Sequence, residues 1–383
     1  MKQLFRLLLG ILIGAAIGFG GVMFTMWLIE GKTPSVGEKD IDWALLGLSV
    51  GAAVVALVVA VFVHLILHEA GHLVAGLLTG FRFVSFRIFK YTLAKTPDGL
   101  RWKQFHMEGT GGQCILELPE DQDPARAPWF WYNAGGVMMN VAIILLSVVV
   151  LRLTGARMLL PYAFLVMLVF VGIFMVLMNG IPMVVGGVSN DAHNLWLLWR
   201  RPHDRLLFVR SLQAAGGLSR GKRLGEMPAE WMASSPATPE SDYMELSARL
   251  LHMEWLEDLG RYDEARQVAE EVMALDKKLP VLLKLETGGE RVMLELLTTN
   301  RREVVEELWT KQLAHYTMAN SKYSPIKCAV LYAYELLFNL DAQRADSYRQ
   351  QLEEHQADYM MPGEARTAIS LVEACLRMKD SNK

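Results

Sequence analysis

Residues 68–72 read H-E-x-x-H, with His68 and His72 four positions apart and Glu69 between them. On a helix, side chains four residues apart project from nearly the same face, so the two imidazoles can bind one metal ion. Zinc accepts two neutral imidazoles and one carboxylate, keeps a fourth position for water and lowers the pKa of that water to about 7. Glu69 would then accept the proton of the water. The motif therefore predicts a hydrolytic zinc site.

This motif lies inside an apolar segment. Between residues 43 and 80 the only ionisable side chains are those of His64, His68, Glu69 and His72. An ionisable side chain at membrane depth is costly unless it is paired or binds a metal, so it usually has a function. The alternative is a buried histidine cluster that neighbouring helices satisfy. His64, one turn earlier, is too far along the axis for a third ligand and is expected to pack against the site or support it.

The composition indicates a chain with a membrane part and a soluble part. The 383 residues are 52% hydrophobic and 21% charged, with a mean hydropathy of +0.23, which is too apolar for an ordinary soluble protein. Four runs without Asp, Glu, Lys or Arg exceed the roughly 20 residues that span a bilayer. They are residues 7–29, 43–67, 129–151 and 158–190. We expect a mainly α-helical polytopic membrane protein with about four transmembrane helices.

Charge and cysteine content limit the partners and the compartment. The net charge is −3 and the basic residues are dispersed, which argues against a nucleic-acid partner. Cys114, Cys328 and Cys375 are odd in number and lack metal-site spacing, so free thiols on a reducing side are expected. The first apolar run is too long for a secretory signal and is predicted to stay as a helix. Lys2 and Arg6 precede it, which predicts cytoplasmic N- and C-termini in a multi-pass cell-membrane protein.

A β-hairpin insert is predicted after the zinc motif, over about residues 81–118. Residues 81–107 alternate as strands do, and Pro97, Asp98 and Gly99 form a turn sequence. A hairpin beside a metal site can hold an extended peptide by strand addition, or it can be a simple surface hairpin. Residues 109–112 are rich in glycine and are expected to form a flexible loop.

The two later apolar runs carry polar residues that need partners. Asn140, in the third run, is expected to bond between helices or to contact a substrate backbone. Pro182 and the glycines at 186–187 break the fourth run, which is tolerated at membrane depth only where the backbone lines a cavity or is buried in protein. Asp191 is the first charge after this break, at the end where the histidines lie. It is the predicted third zinc ligand, with His193 as the alternative.

Three elements of the sequence resemble the site-2 protease family of intramembrane zinc metalloproteases. The H-E-x-x-H motif matches the zinc motif of the family, and residues 136–140 resemble its G-P-x-x-N element with Val137 in place of proline. Residues 179–191 resemble its N-x-x-P segment that leads to an aspartate ligand. This segment is longer than in the family, and Ala192 stands where glycine is expected. The resemblance covers roughly residues 43–195.

The resemblance implies an endopeptidase that hydrolyses a peptide bond in or near a transmembrane segment of a membrane-bound substrate, within the lipid bilayer. It implies Glu69 as the general base, and Asn140 or Asn179 near the scissile peptide as the substrate or oxyanion contact. The implied zinc ligands are His68, His72 and Asp191.

The division predicted from the sequence is a membrane metalloprotease domain (1–200), a juxtamembrane segment and linker (201–240) and a cytoplasmic α-helical domain (241–383). Residues 259–265 resemble the turn and second helix of a tetratricopeptide repeat. Helices expected around 303–314, 326–338 and 364–377 would continue a helical array or form a plain bundle.

Either arrangement of the C-terminal domain can bind a protein partner. A catalytically silent membrane scaffold that works through this domain is therefore the rival to an enzyme. A transporter with a broken fourth helix is a weaker alternative, because the chain shows no second broken helix and no internal repeat.

Overall fold

The computed structural model describes residues 43–105, 110–154, 159–185, 188–275 and 279–381. The first predicted transmembrane helix, at residues 7–29, lies outside the described residues. The described chain is mainly α-helical with a small sheet, as the sequence predicts.

The chain forms two compact units. Among the described residues, the first unit comprises residues 43–74, 133–183 and 190–192. The second unit comprises residues 75–132, 184–189 and 193–381. The first contains the apolar helices, and the second contains the sheet and the polar helices.

Three helices in the described chain are long and apolar enough to cross a membrane. They are α1 (Trp43–Leu78), α2 (Trp129–Thr154) and α3 (Leu159–Gly180). Each is predominantly apolar, and the proline of α3 lies in its first turn, where no intrahelical bond is lost. Large apolar side chains such as Val54 and Leu145 are exposed on these helices, as lipid-facing residues are. Three of the four predicted spans are thus described.

The helices of the first unit pack through small and apolar residues. A buried cluster includes Ala56 and Ala60 of α1, Ile143 of α2 and Val171 of α3. Small residues let helices approach closely in a membrane, where apolar burial alone gives no driving force between them.

A four-stranded antiparallel sheet takes the place of a single hairpin. Its strands are β1 (Arg82–Ile88), β2 (Tyr91–Thr96), β3 (Gly99–Gln104) and β4 (Gly112–Glu117), in the order β3-β2-β1-β4. The predicted turn does join β2 to β3, with Gly99 at a φ of +107° that favours glycine.

Two expectations for this segment are wrong. Residues 82–96 are two strands, because Phe89 turns the chain at a φ of +52°. Gly112, expected in a loop, begins β4. Glycine has a low strand propensity, so the local sequence does not predict the start of this strand. Pairing with β1 stabilises it.

The second unit continues with two short strands and ten helices within the described chain. The strands β5 (Val184–Val185) and β6 (Val188–Ser189) pair antiparallel. The helices are α4 (Asp191–Arg200), α5 (Pro202–Ser219), α6 (Tyr243–Asp258), α7 (Tyr262–Met273), α8 (Val281–Leu297), α9 (Arg302–Leu308), α10 (Lys311–Asn320), α11 (Pro325–Ala333), α12 (Ala342–Glu354) and α13 (Pro362–Ser381). α4 starts in the first unit and continues in the second. Helix α5, in the segment predicted as a linker, contacts β4 and α6.

The turn and the second helix predicted at residues 259–265 are present between α6 and α7 and as α7. Gly260 joins them at a φ of +74°, a left-handed conformation common after helix C-termini. The helix expected at 303–314 is two helices, because the Thr310 side chain accepts a hydrogen bond from the Leu313 amide and caps α10. That these helices form a repeat array stays a prediction. All three cysteines are buried, and none forms a disulfide within the described chain.

Candidate metal centre

Helix α1 presents His68 and His72 on one face, as the four-residue spacing predicts. The two residues are 5% and 8% exposed, and their Nε2 atoms lie 3.2 Å apart. Asp191, the first residue of α4, directs its carboxylate at the same point. Its Oδ2 atom lies 3.0 Å from Nε2 of His68 and 3.4 Å from Nε2 of His72. Three metal-ligating side chains therefore converge.

The spacing of these donor atoms fits a zinc ion. Bonds of about 2.0–2.1 Å in a tetrahedral site place neighbouring ligand atoms about 3.3 Å apart, close to the three separations observed. Burial raises the pKa of Asp191, but the adjoining imidazoles of His68 and His72 outweigh burial and hold this pKa well below its usual range. The carboxyl group is thus ionised at neutral pH, as a ligand must be.

A second group of acids in the described chain is already paired with a guanidinium group. Asp204, Asp242 and Glu245 bring carboxylate oxygens close together. The Arg201 guanidinium lies 2.5 Å from Oδ2 of Asp242 and 3.7 Å from Oε2 of Glu245, so a cation from the chain itself pairs with this group. The histidine-containing group is the better candidate for a metal.

The alternative ligand, His193, is not part of the three-residue group among the described residues. It follows Asp191 by two positions, and side chains two apart on a helix point to different sides. Its ring contacts that of Trp196, with centroids 5.8 Å apart.

Asn190 fixes the segment that delivers Asp191. Its side-chain amide donates to the carbonyl oxygens of Met178 and Ile181, at 2.6 Å each. The Met183 amide donates to Oδ1 of Asn190 at 3.1 Å, and the Asn190 amide donates to the Met183 carbonyl at 3.1 Å. Sequence reasoning did not identify this residue, although asparagine directly before a helix is a known signal.

These bonds explain the long spacing before Asp191. Residues 183 and 190 are adjacent in space, so the six residues between them leave the segment and return to it. Residues 184, 185, 188 and 189 form the β5–β6 pair. The chain is therefore back beside Met183 at Asn190, directly before Asp191 begins α4.

A chain of hydrogen bonds supports His68 from behind. The two side-chain amide atoms of Asn140 lie 3.0 Å from Nδ1 of His68 and 3.1 Å from Nδ1 of His64. Nε2 of His64 lies 2.8 Å from the carbonyl oxygen of Leu168. Asn140 and His64 are fully buried. The predicted supporting role of His64 matches this position, on α1 one turn before the ligands.

The donor and acceptor chemistry of these groups determines which nitrogen atoms carry a hydrogen. A carbonyl oxygen only accepts, so Nε2 of His64 donates to Leu168 and Nδ1 of the neutral ring accepts. The structure places Oδ1 of Asn140 toward His64 and Nδ2 toward His68. A neutral His64 requires the reverse assignment of the two amide atoms, with the NH₂ group toward His64 and the oxygen toward His68. His68 donates from Nδ1 to this oxygen, which leaves the lone pair on Nε2. That tautomer is the one a metal requires of His68.

Two glycines make room for the ligand rings. A Cβ at Gly136 would lie 2.5 Å from Nε2 of His72 and 2.6 Å from Nε2 of His68, too close for any real contact. A Cβ at Gly71 would overlap the carbonyl oxygen of Gly135. The glycine that opens the resembling G-V-M-M-N element is therefore required by the two imidazoles it faces.

The remaining predicted residues are placed as follows. Glu69 is buried and follows His68 directly. Asn179 is partly buried and donates from Nδ2 to the Met175 carbonyl of its own helix at 3.1 Å. Asn140 lies behind a ligand, with both amide atoms bonded to histidines, rather than on an open surface.

No family model matches the sequence, and no curated protein or solved structure matches the chain.

Proposed function

We propose that this protein is an intramembrane zinc endopeptidase that hydrolyses a peptide bond in or near a membrane-spanning segment of a membrane-bound protein or peptide. The observation that carries the proposal is the triangle of His68, His72 and Asp191 donor atoms, 3.0–3.4 Å apart, beside helices apolar enough to cross a membrane. The resemblance of the three motif elements to site-2 proteases supports it.

Each residue of the site has a chemical role in this proposal. His68, His72 and Asp191 would hold the zinc. A bound zinc ion supplies a Lewis acid that lowers the pKa of water and polarises a carbonyl oxygen. Glu69 accepts a proton from the attacking water and returns it to the leaving amine.

The substrate must present an unwound backbone. Inside a transmembrane helix each peptide group is shielded by its own hydrogen bonds, so local unwinding precedes attack. Strand addition to an edge of the four-stranded sheet would stabilise the unwound form. β3 is one edge, and it carries the exposed side chains of Leu100 and Trp102.

The proposed setting is a multi-pass cell-membrane protein with cytoplasmic termini, surrounded by lipid and without a nucleic-acid partner. The C-terminal helices, residues 241–383, would bind a protein partner that brings or regulates the substrate.

Zinc content of the detergent-purified full chain tests the proposal. We expect about one zinc per chain in the wild type, loss of zinc in His68→Ala and in Asp191→Ala, and retention in His193→Ala. Absence of zinc from the wild type after reconstitution would contradict the proposal and favour the silent scaffold. Loss in His193→Ala with retention in Asp191→Ala would contradict the ligand assignment.

A further inference from the structure

The second unit contains a cavity of about 300 Å³ that is partly open to the surface. Helices α6, α8, α11 and α13 and strand β4 contribute to its walls. Among the described residues that line it, one is a lysine, Lys327, and none is an arginine. Five are glutamates, which we call the cavity glutamates: Glu254, Glu257, Glu286, Glu290 and Glu364.

One cavity glutamate is already bound to an ammonium group. Nζ of Lys327 donates to Oε2 of Glu286 at 2.7 Å and to Oε1 at 3.0 Å. The Tyr316 hydroxyl also donates to Oε1 of Glu286. The ammonium group lies over the Tyr316 ring, 5.2 Å from its centroid. The cavity therefore already binds one ammonium group, that of Lys327.

The deepest pair of cavity glutamates has no such partner. Glu257 and Glu290 are 2% and 8% exposed, and their carboxyl groups lie beside each other. Oε1 of Glu257 and Oε2 of Glu290 have no hydrogen-bond partner within the described chain. Buried acceptors without donors are rare and costly, so two acceptors facing one cavity point to a ligand that carries donors.

The groups around this pair are acidic and buried. Burial and the neighbouring carboxylates raise the pKa of Glu254, Glu257 and Glu290 well above the usual range. Burial raises the pKa of Glu364 to about 7. Two carboxylates in contact cannot both ionise without a cation, so an entering cation would replace the protons that they hold.

The form of the cavity favours an organic cation over a metal ion. Calcium needs 6–8 oxygen ligands at 2.3–2.6 Å, but no cavity glutamate belongs to a close group of three ligand atoms among the described residues. Apolar side chains such as Leu285, Ile326 and Val330 share the wall with the acids. Apolar walls with carboxylates at the end suit an alkyl chain that ends in an ammonium group.

We propose that this cavity binds an alkylammonium group, whose N–H donors pair with Glu257 and Glu290. The group belongs either to a free diamine or to a lysine side chain of a peptide. The proposal does not depend on the zinc site, because all of its residues lie in the second unit.

Calorimetric titration of the full chain in detergent micelles tests it. The probes are 1,5-diaminopentane and a short peptide with one central lysine, and the neutral controls are 1,5-pentanediol and the same peptide with norleucine. We expect an ammonium probe to bind, with proton release to the buffer, and the neutral controls not to bind. Binding of both probes or of either one supports the proposal and identifies the source. Binding of calcium but of neither probe would overturn it, as would no binding at millimolar concentration.

The double variant Glu257→Gln/Glu290→Gln tests the residues. It should lower the affinity about 10- to 100-fold while melting at or above the wild-type temperature, because a buried glutamine does not have to take up a proton on folding. That pair of results separates lost binding from lost folding. Glu306→Gln, an exposed acid on α9, should bind as the wild type does. Unchanged affinity in the double variant would overturn the assignment. If the double variant fails to fold, each single variant is titrated by the same criterion.

Discussion

The side-chain amide of Asn140 lies 3.0 Å from Nδ1 of His68, the ring nitrogen that faces away from Asp191. The same amide bonds His64, and His64 bonds the carbonyl of Leu168. One line of hydrogen bonds therefore joins α1, α2 and α3 and ends on a predicted zinc ligand. It fixes the ring of His68 in orientation and in tautomer, so the site is held by helix packing as well as by its ligands.

Replacing Asn140 should weaken zinc binding although Asn140 is not a ligand. Removing a group that holds a ligating histidine typically costs 10- to 100-fold in metal affinity. We expect that loss for Asn140→Ala, measured by competition with a chromophoric chelator. Asn140→Asp keeps an acceptor for Nδ1 of His68 and should retain most of the affinity.

Ser147→Ala is the matched control, since Ser147 is also buried on α2 but seven residues further on. It should bind zinc as the wild type does. Wild-type affinity in Asn140→Ala would rule out a supporting role for the amide.

Adding one methyl group at Gly136 should remove the zinc site. Its Cβ would overlap Nε2 of both histidines, so the rings must move or α2 must withdraw. We expect Gly136→Ala to contain far less than one zinc per chain. Alanine favours a helix over glycine by about 1 kcal/mol, so the loss cannot come from a weaker helix. Gly51→Ala on α1, where a Cβ meets nothing within 4 Å, should keep its zinc, and equal zinc content in the two variants would contradict the explanation.

The local part of the site could be predicted from the sequence, because the i, i+4 geometry of His68 and His72 follows from any helix. The approach of Asp191 was predicted only from its position after a break. What brings it to the histidines is the bonding of Asn190 to Met178, Ile181 and Met183, and such contacts depend on how the chain returns after a six-residue excursion.

The parts that sequence reasoning missed all depend on long-range pairing. The partner of Asn140 is decided by the register between α1 and α2, which apolar patterns do not specify. Strand β4 starts on a glycine and becomes a strand through β1. Glu257 and Glu290 are 33 residues apart, and only the packing of α6 with its neighbours brings their carboxyl groups together.

Glu69→Gln should abolish peptide cleavage and leave zinc bound. Glutamine has nearly the same shape but cannot accept the proton of water, and positioned general bases contribute about 10²- to 10⁴-fold to rate. The measurement is cleavage of a membrane-spanning peptide in detergent, together with zinc content. His193→Ala should retain both activity and zinc. Wild-type turnover by Glu69→Gln would exclude Glu69 as the base.

Asp204 should make the stability of the second unit depend on pH. Burial, followed by the charges of Asp242 and Glu245, raises the pKa of Asp204 from 3.8 to about 7, with Arg201 opposing. The folded state therefore keeps a proton that the unfolded chain releases. With respect to this group, the free energy of unfolding is highest below about pH 4 and falls as the pH rises to about 7. The shift corresponds to a loss of at most about 4 kcal/mol in the free energy of unfolding. Asp204→Asn should melt at a higher temperature than the wild type at pH 8 and at a similar temperature near pH 4. The exposed control Asp263→Asn should match the wild type at both. An Asp204→Asn melting temperature that does not exceed the wild type at pH 8 would show that Asp204 is not held protonated in the folded protein.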